Sequence, residues 1–110
     1  MRNGAALLLV FGLAVLAAPS ARADAIDGEW CSKEGKNLEI KGPHIRTPSG
    51  AELMGQYSRH SFAYQLPPGD PDAGTIIVMR IFSDDDMELA RVIGKQVGQP
   101  ELWHRCNVNS

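Results

Sequence analysis

The chain has 110 residues, with 11 basic against 13 acidic side chains and a formal net charge of −2. A charge this near balance, tilted to the acidic side, leaves no concentrated basic face, which excludes nucleic acid and anionic membrane as electrostatic partners. The length allows one domain that is marginal without a covalent staple.

The N-terminus carries an address. Met1-Arg2-Asn3 places one positive charge ahead of the uncharged apolar run 4–18, and Pro19-Ser20 ends that run. Ala21-Arg22-Ala23 then puts small residues at the two positions a signal peptidase reads. This layout predicts a secretory signal peptide over residues 1–23, cut after Ala23. The apolar run falls short of the ~20 residues a spanning helix needs, so no stable membrane insertion is expected after cleavage. The mature single domain is 24–110, expected to be periplasmic or secreted. Cleavage removes Arg2 and Arg22, leaving nine basic residues against thirteen acidic ones, a net −4.

Beyond the cut, short apolar runs alternate with turn formers. Trp30-Cys31 precedes the polar stretch 32–36, and Leu38-Glu39-Ile40-Lys41 alternates apolar with charged residues, the period of a half-buried strand. Gly42-Pro43 punctuates, Ile45 sits in a short run, and Thr47-Pro48-Ser49-Gly50 reads as a tight turn. Residues 53–57 form a possible strand broken by Gly55. Phe62, Tyr64 and Leu66 alternate with Ser61, Ala63 and Gln65 in a second period-two segment. The stretch 66–72 holds three prolines within five residues and is a stiff, exposed loop. Residues 75–82 are apolar on both faces, which predicts a central strand covered on both sides.

Ser83 and the acids Asp84, Asp85 and Asp86 suit either a helix N-terminus or a hairpin turn. Met87, Leu89 and Arg91 alternate with Glu88, Ala90 and Val92, and the run follows a strong strand at hairpin distance, so residues 87–93 are expected to return as a strand. The stretch 96–100 is a turn and 102–106 the closing strand. Seven to eight short strands at this spacing predict an all-β fold, a small antiparallel barrel or sandwich.

The closing strand holds Leu-Trp-His-Arg-Cys, residues 102–106, and raises a chemical question. A nucleophilic cysteine must be a free thiolate with a base beside it. On a strand, His104 and Cys106 stand about 7 Å apart, too far for that pairing. In an oxidising compartment Cys106 pairs with Cys31, near the other end of the mature chain. In an up-and-down barrel first and last strands are neighbours, so this disulfide locks the seam, with Trp30 and Trp103 flanking it. Closing so long a loop stabilises by ~4 kcal/mol.

Other chemistry is thinly represented. His44, His60 and His104 do not lie at metal-ligand spacing, and Met54, Met79 and Met87 read as core filler, so neither metal nor cofactor is expected. The acids 84–86 lack the ordered spacing of a calcium loop. No Gly-x-Ser-x-Gly and no phosphate-binding glycine loop occurs. Residues 57–64 gather Tyr57, Arg59, His60 and Tyr64 and suit a contact patch, although Phe62 and Tyr64 also fit the core.

Gly28-Glu29-Trp30 at the start of the first strand resembles the Gly-x-Trp signature of lipocalin-like (calycin) barrels. That resemblance implies a tryptophan packed across the barrel's closed end. The layout is also similar to small periplasmic inhibitors of secreted metalloproteases, which share the barrel, a signal peptide and one disulfide, and to small exported bacterial proteins in general. The chain departs from both families in its shortness and in cysteines that bracket nearly the whole domain.

The sequence therefore predicts an exported, non-catalytic binding module, first for a protein partner, protease inhibition included. The stiff loop 67–71 or the new N-terminus at Asp24 is then the segment that enters a cleft. A small-ligand carrier with a barrel cavity is the second reading, and a core packed solid by Phe62, Val78 and Leu89 is incompatible with it. An enzyme whose site is assembled from distant residues is the third. The candidate binding residues are Trp30, Tyr57, Arg59, His60, Tyr64 and Trp103, and the oligomeric state is left open.

Overall fold

Gly55 decides how this sheet closes. The computed structural model describes residues 25–106; the expected signal peptide, its cut site and Asp24 lie outside the described residues. Ten strands run along the chain: β1 (Gly28–Ser32), β2 (Asn37–Lys41), β3 (His44–Arg46), β4 (Glu52–Met54), β5 (Gln56–Ser58), β6 (Ser61–Gln65), β7 (Ile76–Ile81), β8 (Asp86–Ile93), β9 (Gln96–Val97) and β10 (Glu101–Arg105). They form one antiparallel sheet in the order β4-β3-β2-β1-β10-β8-β7-β6-β5, with β9 paired to β8. The two ends of that order, β4 and β5, are consecutive in sequence and separated by Gly55 alone. The sheet thus curls into a nearly closed, all-β barrel.

At the junction the strand changes partner. Met54 pairs with His44 of β3, whereas Gln56 pairs with Ala63 of β6. The Gly55 amide donates to the Pro43 carbonyl at 2.9 Å. A Cβ here would collide with the Ala63 carbonyl oxygen and stand 2.6 Å from the Phe62 ring. Only glycine lets one strand serve both edges.

Ten strands replace the expected seven to eight for two local reasons. The possible strand over 53–57 is divided at Gly55, and Gln96–Val97, expected within a turn, pairs with β8 through Val92–Val97 and Ile93–Gln96. Residues 86–93 form a strand, entered by a hairpin turn in which the Ser83 hydroxyl donates to Asp86 Oδ2 at 3.0 Å.

Alternation sorts each strand into an inner and an outer face. Leu38 and Ile40 of β2, Phe62 and Tyr64 of β6, Ile77 and Met79 of β7, Met87 and Leu89 of β8 and Trp103 of β10 are buried. Trp30, Ile26 and Ile45 complete the cluster. The expectation that residues 75–82 are covered on both sides is corrected here. Ile76 and Val78 face outward and are 39% and 37% exposed, and Phe82 lies beyond the strand at 59%. Val78 accordingly leaves the expected core, while Phe62 and Leu89 stay in it. Apolar content on both faces reports hydrophobicity, not what covers it.

Cys31 and Cys106 form a disulfide across 75 residues of sequence, with Cα atoms 4.9 Å apart. β1 lies beside β10, with Cys31 opposite His104 and the Cys106 amide donating to the Glu29 carbonyl. The staple sits on the seam expected for it. No helix among the described residues is long and apolar enough to cross a membrane.

Candidate functional site

The barrel has two unlike ends. Strand directions bring the turns at 42–43, 59–60 and 82–85 to one end, crossed by Ala25, Ile26 and Asp27. The turns at 33–36 and 47–51 and the loops 66–75 and 94–100 surround the other, which forms a mouth.

The six candidate binding residues are divided between them. Tyr57, Arg59 and His60 stand at the closed end, where the Arg59 carbonyl accepts a hydrogen bond from Ile26. Tyr57 donates its hydroxyl to Asp27 Oδ1, and this bond pushes the phenol above its usual range, with burial and the Asp27 charge adding to it. Trp30 is fully buried beneath that end and donates its indole N–H to the Ile26 carbonyl at 2.9 Å. Tyr64 and Trp103 are buried towards the mouth. The eight-residue segment 57–64 therefore reaches from one end to the other and does not form a single patch.

Arg105, in the same LWHRC stretch that raised the cysteine question, organises the closed end. Its guanidinium carbon lies 4.1 Å from the centroid of the Trp30 ring. Its nitrogens donate to the carbonyls of Asp27 (2.5 Å), Ala25 (2.8 Å) and Asp84 (2.9 Å). Burial lowers its pKa, against the opposing charges of Asp85, Asp84 and Asp27. Gly28, at φ 124°, makes room for it, since a Cβ there would stand 2.7 Å from the guanidinium. Asp27 Oδ2 accepts from the Gly42 amide at 2.7 Å. A recess of about 890 Å³ outside this end is bordered by Asp27, Glu39, Lys41, Asp84, Asp85 and Arg105 among others, a charged surface. Here Arg105, Asp27 and Tyr57 have their hydrogen bonds filled from within the fold.

The mouth differs. A pocket of about 300 Å³ is floored by Tyr64, Ile77, Leu89 and Trp103 and rimmed by Lys36, Pro48, Ser49 and Arg91. Register puts Arg91 opposite Ile77 and Glu101 opposite Leu89, so both face inward at the top of the barrel. Arg91 donates to Glu101 Oε2 at 2.6 Å, and the Trp103 indole donates to Glu101 Oε1 at 3.1 Å. Burial pushes the Glu101 carboxyl up, but these two hydrogen bonds and the charges of Arg91 and Lys36 outweigh it, leaving the carboxyl below its usual range. Tyr64 is only 6% exposed, and its hydroxyl makes no hydrogen bond among the described residues. Burial raises that phenol to about 12, against the pull of Arg91.

The outer wall of β7, β8 and β9 forms a third surface. Cross-strand pairing sets Ile76 beside Val92, Val92 beside Val97, and Val78 beside Ala90. Val97 is 69% exposed and Ile93 64%. A groove of about 330 Å³ runs over this wall, apolar along Val78, Ala90, Val92, Val97 and Pro100 and edged by Arg80 and Glu88. Contiguous apolar surface with a polar rim is what docking sites present.

Among the described residues no group of three or more histidine, cysteine, aspartate or glutamate side chains is placed to hold a metal ion. His44, His60 and His104 are dispersed over β3, the 59–60 turn and the outer wall of β10. No protein-family model, curated protein or solved structure matches the chain.

Proposed function

We propose that this protein is an exported, non-catalytic binding module that engages a protein partner through its outer wall. The observation that carries this reading is the apolar groove over β7–β9, where Val78, Val92 and Val97 meet on a face that no described residue covers. Burying such a face contributes ~25 cal/mol per Å² of apolar surface, and Arg80 and Glu88 at the rim supply orientation. A photo-crosslinking residue at Val97 in the exported protein is expected to give one discrete adduct in its native compartment. Val78→Glu with Val92→Glu abolishes that adduct. The same crosslinker at Glu34, on a solvent-facing turn, gives none; equal labelling from both positions would end this reading.

The protease-inhibitor version places the stretch 67–71, within the loop 66–75, or the N-terminus at Asp24 in a cleft. That loop is braced from within: Asp70 donates its amide to the Pro67 carbonyl at 3.0 Å, Gly74 to Leu66 at 3.0 Å, and Asp72 to the Asp70 side chain at 2.8 Å. A loop ordered beforehand loses little freedom on binding. Secreted proteases unaffected by micromolar protein remove this version.

The mouth favours a second reading, a small-ligand carrier. Phe62, Met79 and Met87 are fully buried between Trp30 beneath the closed end and Trp103 under the mouth, so the room lies at the top. The inhibitor-like resemblance goes with the first of these readings and the calycin-like resemblance with the second; Trp30 at the closed end, with Arg105 over its ring, is the feature that supports the latter.

A further inference from the structure

Tyr64 poses a problem that the fold leaves unsolved. Its ring is buried, 6% of the residue being exposed, and its hydroxyl has no hydrogen-bond partner among the described residues, where native structures usually supply one. Phenylalanine at position 64 would fill the same space against Phe62, whose ring centroid is 6.4 Å away. The hydroxyl earns no stability from any described neighbour, yet it borders the mouth pocket together with two cations.

We propose that the mouth binds a small amphipathic carboxylate, its acid group held by Arg91, Lys36 and the Tyr64 hydroxyl and its apolar body laid over Trp103, Ile77 and Leu89. This inference rests on the small-ligand reading and names its ligand class. The sign of the charge follows from the lining, which carries Lys36 and Arg91 and no acid. Glu101 stands behind Arg91, with its oxygens already engaged by Arg91 and the Trp103 indole. It fixes the guanidinium in place. Asp70, the other acid felt by the Tyr64 phenol, uses Oδ1 to accept the Asp72 amide. A guanidinium supplies five donors in a planar fork, so one engaged nitrogen leaves others for a second carboxylate. The Tyr64 hydroxyl adds a donor at the boundary between the acid and the apolar floor.

Size follows from volume. About 300 Å³, at the ~30 Å³ a water molecule occupies in the liquid, holds about ten non-hydrogen atoms. Octanoate has that size. A longer acid extends beyond the recess into solvent, and a bare inorganic anion leaves the Trp103 face uncovered.

The test titrates the mature, disulfide-bonded protein with octanoate, octanol and octylammonium, following amide and indole N–H resonances. Octanoate is expected to shift the Trp103 indole and the amides of Lys36, Ser49 and Arg91 saturably, with octanol about tenfold weaker or worse and octylammonium silent, the discrimination a charge-assisted hydrogen bond gives. Tyr64→Phe and Lys36→Ala should each weaken octanoate about three- to tenfold at unchanged thermal stability. Two variants are used because Arg91 also anchors Glu101 and its removal disturbs the floor. Octanol binding as tightly as octanoate overturns the acid recognition and leaves a small-ligand mouth standing. No saturable shift with either overturns both. Shifts confined to Val78, Val92 and Val97 place the affinity on the outer wall and overturn the mouth.

Discussion

The two ends of this barrel are built from the same kinds of residue and use them in opposite ways. Each has an inward arginine beside a tryptophan: Arg105 at Trp30, Arg91 near Trp103. At the closed end the arginine faces three backbone carbonyls and a ring, and Tyr57 finds Asp27. At the mouth, Arg91 has one side-chain partner among the described residues, Glu101, while Lys36 has no ion-pair partner and Tyr64 no hydrogen bond among them. A polar group satisfied within the fold stabilises it. A buried polar group left without a partner asks for an explanation, and the proposed carboxylate supplies one for Tyr64.

The largest break in this contrast comes from the staple beside the closed end. Cys31→Ala with Cys106→Ala is expected to cost ~2–5 kcal/mol and to lower the midpoint of thermal or denaturant unfolding accordingly. Arg105→Ala comes next. It strips the donors from the Asp27, Ala25 and Asp84 carbonyls and uncovers the Trp30 ring, for about 2–3 kcal/mol. Arg105→Lys should recover only a minor part of this, because an ammonium cannot span three carbonyls and lie flat on an indole. Chemical denaturation of the three proteins measures the series. Equal stability of Arg105→Ala and the parent would mean the closed end is not what holds the barrel.

Much of this architecture was legible in the chain. The alternation over 38–41 and 61–65 marked two half-buried strands, because one wet face and one dry face leave a period of two; of the two roles open to Phe62 and Tyr64, core and contact patch, burial is what the fold shows. The disulfide followed from the expected export and from the adjacency of first and last strands in a barrel. Gly55 was readable as a break but not as the closure point, since closure depends on the non-local approach of Ala63 and Phe62. Ile76 and Val78 were misplaced because an apolar outer face and a covered one look alike in sequence. Arg105 and Arg91 were the missed site residues, yet each had a signal. Both share a strand face with buried side chains, Arg105 with Trp103 and Arg91 with Met87 and Leu89, and a guanidinium in that position must find partners.

Glu101 sharpens the comparison by a smaller amount. Its folded-state pKa lies below the ordinary value near 4.5, so its contribution to stability is present above that value and is lost as pH falls through the folded pKa. The side chain is 38% exposed, and solvent screening holds the effect to about 1 kcal/mol or less. Glu101→Gln should therefore melt below the parent at about pH 6 and converge with it towards about pH 3. A constant gap across that range would assign the loss to packing and not to charge.

The smallest expected effect is the most discriminating. Tyr57→Phe and Tyr64→Phe delete the same atom from the two ends. At the exposed closed-end site the lost bond to Asp27 should cost about 0.5–1 kcal/mol, the range of a screened hydrogen bond to a charged acceptor. At the mouth, burial would ordinarily make the loss larger, because a hydroxyl sequestered from water normally has a partner to lose. Without one, its removal relieves a desolvated group, and Tyr64→Phe should fall within ~0.5 kcal/mol of the parent on either side. Urea unfolding of both variants, with no ligand added, decides between these accounts. If Tyr64→Phe is the more damaging of the two, the hydroxyl already has its partner inside the protein, and the mouth is finished as it stands. If it is the milder one, the group is poised for a donor or acceptor from outside, and the difference between the two ends is a difference between structure and recognition.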